Sequence, residues 1–198
     1  MRKILSSLAL LSTLLFAEAV TVPTVNKTPI TMDINGEHID FQGYQGKYVL
    51  LEYFGTHCPM CMMEIEHLKA LQKNYPDIKV ISVELQNTPA DRLKDFVFEK
   101  DIKYPVIDFQ NAYTLYMFAK NVAPQWTGGI PMMILFDKNG QALTYFIGVT
   151  SQEDIIKTIK QYTGDDLNNG KTNQSNTNET NSSTDGSLSD KLLHFFKW

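Results

Sequence analysis

Seven consecutive residues, Tyr48-Val49-Leu50-Leu51-Glu52-Tyr53-Phe54, form a nearly unbroken run of apolar, β-favouring side chains. A strand wetted on one face alternates apolar with polar residues. This run has no polar face, so it suits a central strand covered on both sides. Its single charge, Glu52, therefore needs an explanation of its own.

The segments around this run alternate between strand and helix patterns. Residues 20–29 are rich in Thr, Val and Pro and suit an extended lead-in, and two short extended segments around the Asn35-Gly36 turn predict a small hairpin ending at Gly46. After Cys58-Pro59 the period becomes helical, with Met62, Ile65, Leu68 and Leu71 on one side and Glu64, Lys69 and Lys73 largely on the other. Pro59 fits a first helical turn, where its missing N–H costs nothing. Residues 78–85 predict a strand, Pro89 starts a helix carrying Leu93, Phe96 and Val97, and a short strand is expected at 105–109 before a helical segment near 111–119. Ile130–Phe136, the turn Asp137-Lys138-Asn139-Gly140 and residues 142–148 predict a hairpin. A helix at 151–162 follows, capped by Ser151 and turning Ile155, Ile156 and Ile159 inward. The expected fold is α/β, a central mixed β-sheet flanked by helices, with an N-terminal β-hairpin extension, in one domain over residues 20–163.

With 198 residues and 43% hydrophobic content the chain can pack one medium domain plus extensions. A formal charge of -4, with no basic stretch to neutralise a phosphate backbone, argues against a nucleic-acid partner. Arg2 and Lys3, the apolar stretch 4–16 and Ala17-Glu18-Ala19 predict a cleaved signal peptide over residues 1–19, hence a periplasmic or otherwise exported protein, soluble after cleavage. The stretch is short for a membrane span of ~20 residues, and no Cys near the junction offers lipid attachment. Residues 164–187 are Asn, Thr, Ser and Gly with almost no apolar side chains, the composition of a disordered linker. Residues 188–198 close the chain with Leu188, Leu192, Leu193, Phe195, Phe196 and Trp198, an apolar amphipathic segment that would dock on a partner, a membrane or its own domain.

Cys58 and Cys61 are the only cysteines. A disulfide between them closes too short a loop to restrain much of the unfolded chain, so they make better sense as a reactive dithiol than as a staple. The pair sits where a buried strand gives way to a helix. At a helix N-terminus, orphan N–H groups and the positive end of the dipole stabilise an anion, which draws the Cys58 thiol below the ~8.5 of free cysteine. Cys61, one turn further in, is shielded and suited to resolving a mixed disulfide.

The stretch from Gly46 to Phe54, followed by Gly55-Thr56-His57-Cys58-Pro59-Met60-Cys61, resembles the active-site strand and turn of the thioredoxin superfamily, and is most similar to its periplasmic TlpA/ResA-type branch. The likeness runs in element order over residues 26–163 and includes Ile130-Pro131, which aligns with the family's cis-proline loop. It implies a thioredoxin-like fold and a protein-disulfide reductase without cofactor or metal. Cys58 and Cys61 would be catalytic, and clients would lie as extended segments against His57, Pro59, Met60, Ile130 and Pro131. Relatives are commonly reductants fed by a membrane electron transporter of the DsbD/CcdA type, often keeping apocytochrome c cysteines ready for haem attachment. Glu52, six residues before Cys58, matches the buried acid of thioredoxins. Glu64, three after Cys61, matches an acid of the TlpA/ResA type. Either could take the Cys61 proton if buried; the alternatives are a strand-end residue reaching solvent and an ordinary solvated helix residue. Two departures bear on redox direction: His57 replaces the usual Trp, and Pro59-Met60 replaces the usual centre of the motif. A protonated His57 would favour the thiolate and make the disulfide more oxidising, so a DsbA-like oxidase or isomerase is the alternative.

Other classes of function have weaker support. His57, Met60, Met62, Met63 and His67 beside two cysteines suggest a copper-binding chaperone. Met62 is expected to face the core, however, and thioredoxin-fold copper carriers space their cysteines one residue wider. Peroxidatic cysteines of this superfamily sit in a Thr/Ser-rich turn, for which Thr56 alone is insufficient. A pure interaction module is suggested by the linker and tail rather than by the domain.

Overall fold

Residues 19–167 are described by the computed structural model. The central strand is where the apolar run predicts it: β4 (Tyr48–Phe54) has all seven residues buried. It pairs in parallel with β5 (Ile78–Glu84) and antiparallel with β7 (Met132–Phe136). A short strand, β6 (Val106–Ile107), and the exposed-edge strand β8 (Ala142–Ile147) complete a five-stranded mixed sheet of order β6-β5-β4-β7-β8. Helices α1 (Pro59–Asn74), α2 (Ala90–Glu99), α3 (Tyr113–Val122) and α4 (Gln152–Thr163) flank it, with a 3-10 turn at Phe109–Asn111 leading into α3.

Alternate residues of β4 feed two cores. Tyr48, Leu50 and Phe54 pack with Cys61, Ile65 and Leu68 of α1 and with Ile155 and Ile159 of α4. Val49, Leu51 and Tyr53 pack on the other face with Leu115 and Phe118 of α3, Trp126 and the N-terminal strands. Ser151 caps α4 by accepting from the Asp154 N–H, and Gly164 ends that helix in the left-handed conformation that L side chains avoid.

The N-terminal extension is larger than a hairpin. β1 (Val20–Val22) joins β2 (Ile30–Asn35) and β3 (His38–Phe41) in a three-stranded antiparallel sheet. Residues expected only as an extended lead-in thus gain a partner, because Val22 and Ile30 need cover and β2 supplies an edge. This sheet also touches both ends of the main one. The Val25 N–H donates to the Val106 carbonyl (2.8 Å), while Asn26 accepts from the Val106 N–H and donates to the Tyr104 carbonyl. At the other end the Ile39 N–H donates to the Gly140 carbonyl and the Ala142 N–H to that of Glu37.

Beyond α4 the chain stays on the domain. Asp165 accepts from the Tyr48 hydroxyl (2.7 Å) and from Lys138 (2.6 Å), and Leu167 packs against the α1/α4 core. The expected signal peptide (all but Ala19), residues 168–187 of the expected linker and the segment 188–198 lie outside the described residues.

Candidate active site

Cys58 is the N-cap of α1 and Pro59 occupies its first turn, so the expected strand–turn–helix arrangement is present. The two cysteines form a disulfide. Their environments differ: Cys61 is fully buried, while Cys58 is half-buried at the surface. The Cys61 N–H points at Cys58 Sγ (3.1 Å). A thiolate at Cys58 would thus sit against an orphan helix donor and the dipole's positive end. Ile130–Pro131 is a cis peptide, as aligned, and the Ile130 carbonyl lies 3.7 Å from Cys58 Sγ. His57, Pro59 and Met60 are exposed around the sulfur, and Pro131 is buried in the loop beside it. Met63 is also exposed and Met62 is half-buried against the α1 core. No group of three or more His, Cys, Asp or Glu capable of holding a metal occurs among the described residues, and no helix among them is long and apolar enough to cross a membrane.

Both expected acids are buried. Glu52 shares the sheet face of Leu50 and Phe54, beneath α1, and is fully enclosed; it does not reach solvent. The parallel register sets Ser82 beside it, and the Ser82 hydroxyl donates to Glu52 Oε2, leaving Oε1 without a partner. Burial pushes the Glu52 carboxyl up to about 8; the Ser82 hydrogen bond opposes this and the charge of Glu64 adds to it. Glu64 differs from its expected place on the polar side of α1. It is fully buried, because the turn before α4 covers it and the Thr150 N–H donates to Oε2 (2.8 Å). Burial raises its pKa, offset by that N–H and by His67, whose Nδ1 lies 4.0 Å from Oε2.

A third buried carboxylate was not legible in the sequence. Glu84, at the end of β5, accepts from the Gln86 N–H (2.8 Å), the Thr88 N–H (3.1 Å) and the Thr88 hydroxyl (2.9 Å). The loop so held carries Asn87 in the left-handed region and turns Gln86 back over Gly55, where Gln86 Oε1 accepts the His57 N–H (2.8 Å). Thr88 also meets the Thr56 hydroxyl (2.7 Å), which in turn meets His57 Nδ1 (3.0 Å). Phe54 and Glu84 are paired neighbours at the strand ends, so whatever follows β5 must abut the turn after β4. That parallel pairing is the signal that would have pointed to Gln86.

Gly55 leaves room for the Gln86 side chain to fold over it. A Cβ there would lie 2.3 Å from Gln86 Cδ. Gly55→Ala is expected to push Gln86 off the His57 amide and lower stability by about 1–2 kcal/mol in denaturant unfolding, the cost of a lost hydrogen bond plus local rearrangement. Gln86→Ala should reproduce most of that loss, and the double variant should be no worse than Gly55→Ala. Additive losses would mean that the two residues do not act through one contact.

The arrangement provides an accessible sulfur at a helix N-terminus, a buried sulfur behind it, and two acids, Glu52 and Glu64, whose burial raises their pKa, that of Glu52 to about 8. Comparisons with known proteins agree with this chemistry. The Redoxin family model matches residues 18–163. Thiol-disulfide oxidoreductase ResA of Bacillus cereus is 28% identical over 138 residues, covering 68% of this chain and 74% of ResA. The ResA of Geobacillus kaustophilus is 28% identical over 150 residues, covering 73% and 81%. Among solved structures, a thioredoxin-family thiol:disulfide interchange protein from Chlorobium tepidum superposes with a TM-score of 0.55 at 20% identity, covering 74% of this chain and 94% of that one. The chain therefore belongs to the Redoxin family, in the TlpA/ResA-type branch of the thioredoxin superfamily, and is a thiol–disulfide oxidoreductase.

Proposed function

We propose that this oxidoreductase works outside the cytoplasm as a reductant of client disulfides, apocytochrome c among them, recharged by a membrane transporter of the DsbD/CcdA type. The observation that carries the mechanism is the unequal exposure of the two sulfurs, together with a buried carboxyl on β4 and another on α1, the helix that carries Cys61. Cys58 thiolate attacks one sulfur of a client disulfide, and the client's other sulfur leaves as a thiolate. Cys61, deprotonated by Glu64 or Glu52, then attacks Cys58 Sγ and releases the client as a dithiol, leaving the Cys58–Cys61 disulfide. The client segment lies along the Ile130-Pro131 loop, against Pro59 and Met60. Residues 1–19 carry the export signal on this reading, and no cofactor takes part.

The exposed imidazole of His57 next to Cys58 favours a second reading, a DsbA-like dithiol oxidase, because a cation there would stabilise the reduced thiolate. The reduction potential, measured by equilibration with glutathione and paired with thiol trapping in cells, separates the two. A reductant is expected well below the glutathione poise and largely reduced in vivo. A potential near the ~-120 mV of strong oxidants, with the pair trapped oxidised, would overturn the reductant reading.

A further inference from the structure

An open groove of about 480 Å³ runs beside the dithiol turn, lined by Leu85, Phe109, Ala112, Tyr113, Tyr116 and Gly128, with no charged side chain among them. Its rim is bare: Tyr113 is 73% exposed and Phe109 42%. Both ends adjoin the site. Leu85 precedes Gln86, which holds the His57 amide, and Gly128 lies two residues before Ile130, whose carbonyl faces Cys58 Sγ. An apolar groove with a bare aromatic rim gains from cover.

We propose that the groove is occupied by the chain's own C-terminal segment, residues 188–198, which thereby competes with client proteins. Six of its eleven residues are large and apolar, among them Phe195, Phe196 and Trp198. Leu167 lies at the Tyr48 end of β4, opposite the dithiol, and 20 residues separate it from Leu188. Extended, these span up to ~70 Å, well beyond the ~40 Å breadth of a domain of this size, so the groove is within reach. The segment contains no cysteine, so its occupancy cannot turn over; it can only exclude. Tethering places it at an effective concentration on the order of 1 mM. Even an intrinsic affinity of ~0.1 mM then keeps the groove about ten parts filled to one open, so a client entering there sees its KM raised about tenfold.

Trp198 gives a direct readout, since the only other tryptophan, Trp126, is buried in the core. The difference in emission between the full chain and Trp198→Phe isolates it. It is expected to be blue-shifted, shielded from acrylamide and independent of protein concentration. Shielding should be lost in Tyr113→Glu, a change at the exposed start of α3 where a carboxylate suits the helix, and in Phe109→Ser. Truncation after Gly186 should lower KM for reduction of a protein disulfide such as insulin about tenfold and leave the rate with glutathione disulfide unchanged. A water-exposed Trp198, shielding that survives both groove substitutions, shielding that vanishes on dilution, or shielding that needs added anionic vesicles would each overturn the proposal; the last two would assign the segment to a second copy or to a membrane. Failure to react with glutathione disulfide in either form would instead count against the redox mechanism.

Discussion

Cys61→Ser is expected to stall with its client attached, whereas Cys58→Ser is expected to do nothing at all. The asymmetry follows from burial. A client sulfur must approach in line with the bond it breaks, and only Cys58 reaches the surface to meet it, at the helix end and beside the Ile130 carbonyl. Cys61 is fully enclosed and can meet only what Cys58 already holds. Removing the resolver therefore leaves attack intact and release impossible, so a 1:1 mixed disulfide, cleaved by dithiothreitol, should accumulate on non-reducing gels and in intact-mass spectra. Removing the nucleophile should lower turnover at least ~10³-fold with no adduct. Adduct formation by Cys58→Ser and not by Cys61→Ser would reverse the roles assigned to the two sulfurs.

The oxidised protein should lose stability as pH rises, and Glu52→Gln should prevent much of that loss. Glu52 titrates at about 8 when folded against about 4.5 as a free side chain. Below both values it is protonated in either state and contributes no pH dependence. Between them the folded chain holds a proton that the unfolded chain has released, so unfolding liberates a proton and is favoured as pH climbs. Each unit is worth about 1.4 kcal/mol, so the decline across the window is on the order of 5 kcal/mol, levelling above pH 8. Glu64 is raised as well and steepens the fall in the same direction. Gln at position 52 keeps an acceptor for the Ser82 hydroxyl without a proton to lose. Guanidinium unfolding under non-reducing conditions at pH 4.5, 6.5 and 8.5 should show wild type and Glu52→Gln converging at the acid end and separating by several kcal/mol at the alkaline end. Parallel curves would show that Glu52 is ionised throughout. The same substitution removes a candidate proton acceptor for Cys61, so resolution of mixed disulfides should slow roughly 10²-fold.

Some of this molecule could be read from the order of its residues because the information is local. The apolar run of β4, the proline after the first cysteine and the turn at Asp137–Gly140 each announce an element within a few positions. Ile130-Pro131 was located by resemblance rather than by any pattern of its own. What escaped depends on distant partners. Glu64 has a charged residue's address on a helical wheel, and only the arrival of Thr150, 86 residues later, encloses it. Glu84 sits at the end of a predicted strand and Gln86 just past it, where no pattern marks either residue, and their importance comes from strand register. β1 is three residues long and gains meaning only from the strand it pairs with.

The N-terminal sheet bears on behaviour in crowded solution. A strand at the margin of a sheet offers a row of unpaired donors and acceptors on which a foreign chain can template itself. Here Val25 and Asn26 occupy that row at β6, and Glu37 and Ile39 occupy the start of the margin at Gly140–Ala142. The extension thus works as a pair of bumpers, leaving the later part of β8 as the margin on which another chain could build.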